Sequence, residues 1–270
     1  MLARLALVAV LASAGPAAAE SVRLHAAGSL RAALTEVADA FAAAHKITVE
    51  RKFGPSGLLK DEIAGGAAAG VFASANMDHP RALEGLGRAG PVVLFARNQL
   101  CALVKPGLRV TSATLLAVMR DPQVKLGMST PKADPSGDYA LEVFRRAEAR
   151  APGAGAALEA KAQRLTGGPD SAAPPQGRSV YGWHVAEGRA DIFLTYCTNA
   201  LAAQRENTAL QRVPLPEDLA VGADYGLTVV ADAPPAAWRL ALYILAPAGQ
   251  AVLARHGFSA PNLPQADQRP

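Results

Sequence analysis

The chain has 270 residues, half of them hydrophobic and 19% charged, with 27 basic against 23 acidic side chains for a net charge of +4. That apolar fraction excludes a disordered chain, and the length allows one large domain or two lobes of ~100 residues each. Scattered, nearly balanced charge with only 5% aromatic residues lacks the basic face a nucleic-acid partner needs, so no nucleic acid is expected.

Residues 1–19 read as a secretory signal peptide. Arg4 is their only charge, Leu5 to Leu11 form a short apolar run, and Ala17-Ala18-Ala19 supplies a small-residue cleavage site. Cleavage after Ala19 would place the mature chain in the periplasm, and no later segment offers ~20 uninterrupted apolar residues for a membrane span. The two cysteines, Cys101 and Cys197, read in an exported chain as a disulfide. Two buried, inert thiols are the alternative.

Ser21 to Ala27 is expected to be a strand, and Leu30 to Ala44 an amphipathic helix with Leu30, Leu34, Val37 and Phe41 on one side. A strand over Ile47–Phe53, a helix over Leu58–Ile63, a strand over Val71–Ser74 and a helix over Pro80–Leu86 follow. The pattern then restarts with a strand over Gln99–Val104, a helix over Thr111–Met119, a strand over Val124–Met128 and a long helix over Gly137–Ala149. Gly167–Gly177, with Pro169, Pro174 and Pro175, is expected to be a loop. A helix over Tyr181–Glu187, strands over Asp191–Tyr196 and Tyr225–Ala231, and helical material from Pro234 to Arg255 complete the chain. Alternating strands and helices predict an α/β protein of two lobes, each a mostly parallel sheet flanked by helices.

In such sheets the loops at the carboxyl ends of strands bind ligands. Ser29 and Ser56 occupy two of them, each where a helix begins, and a helix N-terminus with a hydroxyl beside it can hold an anion without a cationic side chain. Simple N-caps are the alternative for both serines. Asp134-Pro-Ser136-Gly137, Gly177-Arg178-Ser179 and Tyr196-Cys-Thr198 are the matching loops of the second lobe. The five histidines are dispersed, so no direct metal-ion ligands are expected.

Ala26-Ala-Gly-Ser29-Leu30, Phe53-Gly-Pro-Ser56-Gly57-Leu58, Gly70-Val-Phe-Ala-Ser74-Ala75, Pro135-Ser136-Gly137-Asp-Tyr139-Ala140, Asp191-Ile-Phe-Leu-Thr-Tyr196 and His256-Gly257-Phe258 resemble, in order and spacing, the periplasmic molybdate-binding proteins of ABC transporters. These are two-lobed, type II solute-binding proteins. The resemblance implies a cleft between lobe 1 (20–97 plus 222–270) and lobe 2 (98–221). It implies a ligand set of Ser29, Ser56, the backbone at Ser136, a further donor near Arg178 and Ser179, and Tyr196. Ser136 adds a hydroxyl where a small apolar residue is common. The resemblance further implies that the strand holding Cys101 lies antiparallel to the one ending at Tyr196, so that a Cys101–Cys197 bridge would fix the tyrosine loop. Implied too are a monomer without cofactor, a molybdate or tungstate ligand, and a membrane permease as partner.

A tetrahedral dianion offers only acceptors, so a set of donors suits it. Phosphate, half protonated near neutrality, also needs an acceptor; Asp134 reads as a helix cap and Asp138 as first-turn dipole compensation. Sulfate, thiosulfate or a role as sensor partner of a membrane receptor are the alternatives. A hydrolase is disfavoured, because Gly54-Pro-Ser56-Gly57 is one residue short of a nucleophile elbow. Arg178 reads as a surface arginine, with a reach to the ligand as the alternative.

Overall fold

The computed structural model describes residues 20–261; the expected signal peptide lies outside them. In chain order the elements are β1 (Ser21–Ala27), a 3-10 turn (Gly28–Leu30), α1 (Arg31–His45), β2 (Thr48–Gly54), α2 (Ser56–Ala64), β3 (Val71–Ser74), α3 (Asp78–Gly85) and β4 (Val93–Val104). There follow α4 (Leu115–Arg120), β5 (Leu126–Ser129), α5 (Pro135–Arg150), α6 (Ala154–Lys161), β6 (Gln163–Thr166), α7 (Val180–Ala186) and β7 (Ile192–Tyr196). Last come α8 (Cys197–Glu206), β8 (Gln211–Pro214), a second 3-10 turn (Glu217–Leu219), β9 (Gly222–Val229), α9 (Pro235–Leu245) and α10 (Pro247–Arg255).

Two sheets share one long strand. The first runs β2-β1-β3-β9-β4; the second continues from β4 through β7 and β5 to β6, with β8 also on β4. Val93 to Gln99 of β4 pair with β9, whereas Leu100 to Val104 pair with β7. The chain therefore leaves the first lobe along β4 and returns along β9, and Leu100 N–H donates to Val221 C=O (3.1 Å) at the crossing. The mostly parallel sheets expected from alternation are in fact mixed. β1 is parallel to β2 and β3, and β5 to β6 and β7, but every pairing made by β4 and β9 is antiparallel. The cause is topological: one strand out and one strand back must run in opposite directions.

Helices cover the sheets through the apolar faces their spacing creates. α1 buries Ala33, Leu34, Val37, Ala38 and Phe41, and α5 buries Ala140, Val143, Phe144 and Ala147. Each fully buried leucine or phenylalanine contributes about 1.5–3 kcal/mol. Lys46, in the left-handed region at φ 58°, ends α1. The helical material from Pro234 to Arg255 divides at Ala246-Pro247, with a 59° bend, because proline lacks the N–H that would continue α9.

Three further differences have local causes. Thr111–Thr114 is a side-chain-bonded turn, Thr111 Oγ1 and Thr114 Oγ1 lying 3.1 Å apart, so α4 starts only at Leu115. β4 begins six residues before Gln99, with Arg97 and Asn98 interrupting its apolar run. Cys197 does not extend a loop after Tyr196 but opens α8 directly. The Cys101–Cys197 disulfide is formed, with Cα atoms 4.8 Å apart, and ties β4 to the start of α8. Among the described residues no single helix is long and apolar enough to cross a membrane.

Candidate functional site

The 3-10 turn after β1 presents Ser29, whose Oγ lies 3.0 Å from Tyr225 Oη on β9. Tyr225 Oη accepts Asn98 Nδ2–H (3.3 Å), and Asn98 Nδ2 also donates to Thr198 Oγ1 (2.8 Å) at the start of α8. A polar chain thus runs from lobe 1, over the crossing strands, into lobe 2. Tyr225 is fully buried, and burial holds its phenol well above the ordinary tyrosine range, with the Ser29 and Asn98 contacts opposing. It is neutral at any physiological pH and so acts as a hydrogen-bond partner, not a charge.

Ser56 is the first residue of α2, set there by Pro55, whose extended ψ of 130° makes it the cap. Its buried Oγ accepts Ala75 N–H at 3.1 Å, leaving the hydroxyl proton free to donate. The Ala75 carbonyl, just past β3, faces the second lobe and receives Tyr139 Oη (3.4 Å) and Tyr196 Oη (3.5 Å), both at the long end for hydrogen bonds. Away from the crossing strands, Gly57 N–H donates to Ala133 C=O across the seam at 2.8 Å. The N-termini of α2 and α5 therefore meet, and the cleft is shut.

Tyr196 ends β7, fully buried, its ring 5.5 Å from that of Tyr225 and 6.2 Å from that of Tyr139. Ser136 is the second residue of α5. Its N–H donates to Asp134 Oδ1 (3.0 Å), so this backbone group is engaged by the chain's own cap. Asp134 lies deep enough that burial pushes its carboxyl up to about 6, the Ser136 N–H opposing and the Asp138 charge adding to the rise. Asp138 accepts Lys132 N–H (2.9 Å) and is raised by burial.

Of the residues read from the sequence, the structure brings Ser29, Ser56, Ser136 and Tyr196 to the seam between the lobes. It directs Arg178 elsewhere: the guanidinium pairs with Glu206 on α8. Ser179 N–H donates to the same carboxylate (2.7 Å), and Ser179 Oγ caps α7 by accepting Gly182 N–H (3.3 Å). Neither touches the other four. Sequence reasoning missed Tyr225, Asn98 and the Ala75 carbonyl; the one available signal was Asn98, a polar residue inside an apolar strand. Among the described residues no group of three or more His, Cys, Asp or Glu side chains could hold a metal ion.

Two α/β lobes joined by crossing strands, with polar loops and helix N-termini meeting between them, define a type II periplasmic binding protein fold. Solved structures carry that likeness across most of the chain. The periplasmic molybdate-binding protein of Azotobacter vinelandii superposes with a TM-score of 0.71 at 20% identity, covering 90% of this chain and all of that one. The sulfate-binding protein SubI of Mycobacterium tuberculosis gives 0.72 at 19%, over 90% and 88%. PEB3 of Campylobacter jejuni, solved with L-phospholactate, gives 0.64 at 14%, over 88% and 98%. At these identities the likeness is one of fold. The sequence model described as bacterial extracellular solute-binding protein matches residues 22–259, and the chain belongs to that family. It is 38% identical over 207 residues, 76% of this chain and 86% of the relative, to an uncharacterized protein of Pasteurella multocida. It is a binding protein and not an enzyme.

Proposed function

We propose that this protein captures a small tetrahedral oxyanion between its lobes in the periplasm and delivers it to the membrane permease of an ABC transporter. Molybdate and tungstate are the ions the sequence motifs favour, with sulfate and thiosulfate as the alternatives. The observation that carries the reading is the convergence of neutral hydroxyl donors on one seam, Ser29 and Ser56 from one side and Tyr196 from the other, where the first turns of α2 and α5 abut. Such groups match a ligand that only accepts hydrogen bonds, and charge-assisted bonds contribute about 1.5–3 kcal/mol each.

The moving bodies are taken as 20–97 with 222–270, and 98–221, hinged where β4 and β9 cross. An anion touching both lobes binds the closed form better than the open one and so shifts the population toward closure. Export through residues 1–19 and action as a monomer belong to the same reading. Calorimetric titration with molybdate, tungstate, sulfate, thiosulfate and phosphate tests it. One ion per protein, with no product formed, is expected; an absence of binding by all five would contradict it.

A further inference from the structure

The N-terminus of α5 faces a carboxylate supplied by the chain itself. Asp134 Oδ1 takes the Ser136 N–H and the Asp134 carbonyl takes the Gly137 N–H (2.8 Å). Beside it, Ser129 at the end of β5 and Ser136 are wholly shielded from solvent, and neither hydroxyl has a hydrogen-bond partner of acceptable geometry. A buried hydroxyl left unpaired is costly, so native proteins rarely keep two together without a use for them. Asp134 adjoins Ala133, whose carbonyl holds Gly57 of the opposite lobe, so this cluster sits at the seam.

No cationic side chain pairs with the carboxylate; the Ser136 N–H at the positive end of α5 is what offsets its charge. The titratable groups near enough to sense its charge are Tyr181 of α7, Tyr196 of β7, Tyr225 of β9 and, from α5 itself, Asp138. Asp138 in turn faces Lys132, His79 and Asp78, one turn away. A dianion brought against an ionised Asp134 would meet like charge in a poorly screened place, whereas a protonated group there would be attracted.

We propose that Asp134 is the specificity-determining residue of the cleft: the oxyanion is held together with one proton, shared between the Asp134 carboxylate and a ligand oxygen, while Ser129 and Ser136 donate. The inference rests on the oxyanion reading and adds a ligand class to it, tetrahedral oxyanions that carry an O–H. Hydrogen phosphate and hydrogen arsenate bring that proton with them. Sulfate and molybdate do not, and must bind with a proton taken from water.

Calorimetry at pH 8 in two buffers of different ionisation enthalpy counts the protons taken up per ion, with sulfate, molybdate and inorganic phosphate as probes and Asp134→Asn as the variant. Asparagine is as good a cap, so α5 is kept. Sulfate or molybdate is expected to bind with close to one proton taken up and to weaken about tenfold per pH unit between pH 7 and 9. Phosphate should bind without uptake and hold its affinity over that range. In Asp134→Asn the uptake should vanish and phosphate should lose at least tenfold relative to sulfate. If the variant fails to fold, the wild-type proton count decides alone. Sulfate or molybdate binding with zero uptake and no pH dependence would overturn the proposal while leaving the oxyanion reading intact; no binding by these three probes would overturn the proposal, and no binding by tungstate and thiosulfate as well would overturn both.

Discussion

Replacing Gly57 with alanine puts a methyl group where the lobes meet. Its Cβ would stand 2.3 Å from the Lys132 carbonyl and 2.7 Å from that of Ala133, against the 3.4 Å at which ordinary contact begins. Both neighbours are backbone, so they can yield only if the loop before α5 backs away. That movement breaks the 2.8 Å Gly57–Ala133 hydrogen bond, worth about 0.5–1.5 kcal/mol, and stretches the Tyr139 and Tyr196 contacts to Ala75. With the residual overlap, closure should cost about 1.5–3 kcal/mol, which lowers the apparent affinity for the preferred oxyanion by about 10–150-fold. Within lobe 1 the same change is mildly favourable, because alanine is the better helix former by about 0.5–1 kcal/mol. Titration calorimetry and small-angle X-ray scattering on the same sample separate the two effects: weaker binding and a larger radius, without a lower melting temperature. A Gly57→Ala protein that binds as tightly as wild type and is equally compact would refute the reasoning.

Ser56→Ala removes the acceptor of the buried Ala75 N–H, and thermal melting without ligand should register a loss of about 1–3 kcal/mol; calorimetry should show binding weaker by a similar amount. An unchanged isotherm would remove Ser56 from the site. Intact mass without reductant should be two hydrogens below that of the reduced form, and reduction should destabilise the fold by about 2–4 kcal/mol, since the Cys101–Cys197 bond closes a loop of 96 residues; titratable free thiols would contradict this. The raised carboxyl of Asp134, about 6 against an ordinary 3.8, means the folded state binds its proton more tightly than the unfolded state does. Stability from this group is therefore fully present below pH 4 and is lost as pH rises through 6, by about 3 kcal/mol. Denaturation at pH 4.5 and 8 should show a flatter difference in Asp134→Asn, and identical slopes would contradict it.

Much of the first lobe was legible because its elements announce themselves. The 3.6-residue spacing of Leu34, Val37 and Phe41 and the short apolar run Val71–Ser74 match what the structure buries. β6 and β8 were invisible: Gln163, Arg164 and Arg212 are exposed, so neither strand carries an apolar alternation. α8 was missed because no turn residue separates it from β7. At the site, Ser29 and Ser56 could be found as hydroxyls at helix starts, a local pattern. Tyr225 lies 196 residues from Ser29, and the Ala75 and Ala133 carbonyls are backbone atoms whose role depends on where the other lobe stands. Neither leaves a trace in local sequence. Arg178 illustrates the converse: proximity in sequence to a matching loop did not foretell that Glu206, on another helix, would hold it.

Crystals of the protein grown with tungstate and measured at the tungsten edge test oxyanion capture most directly. A single anomalous peak within hydrogen-bonding reach of the Ser29 and Ser56 hydroxyls and Tyr196 Oη, between the N-termini of α2 and α5, is the expected result. A peak only on the outer surface, or a cleft in which those hydroxyls turn away from the metal, would contradict it.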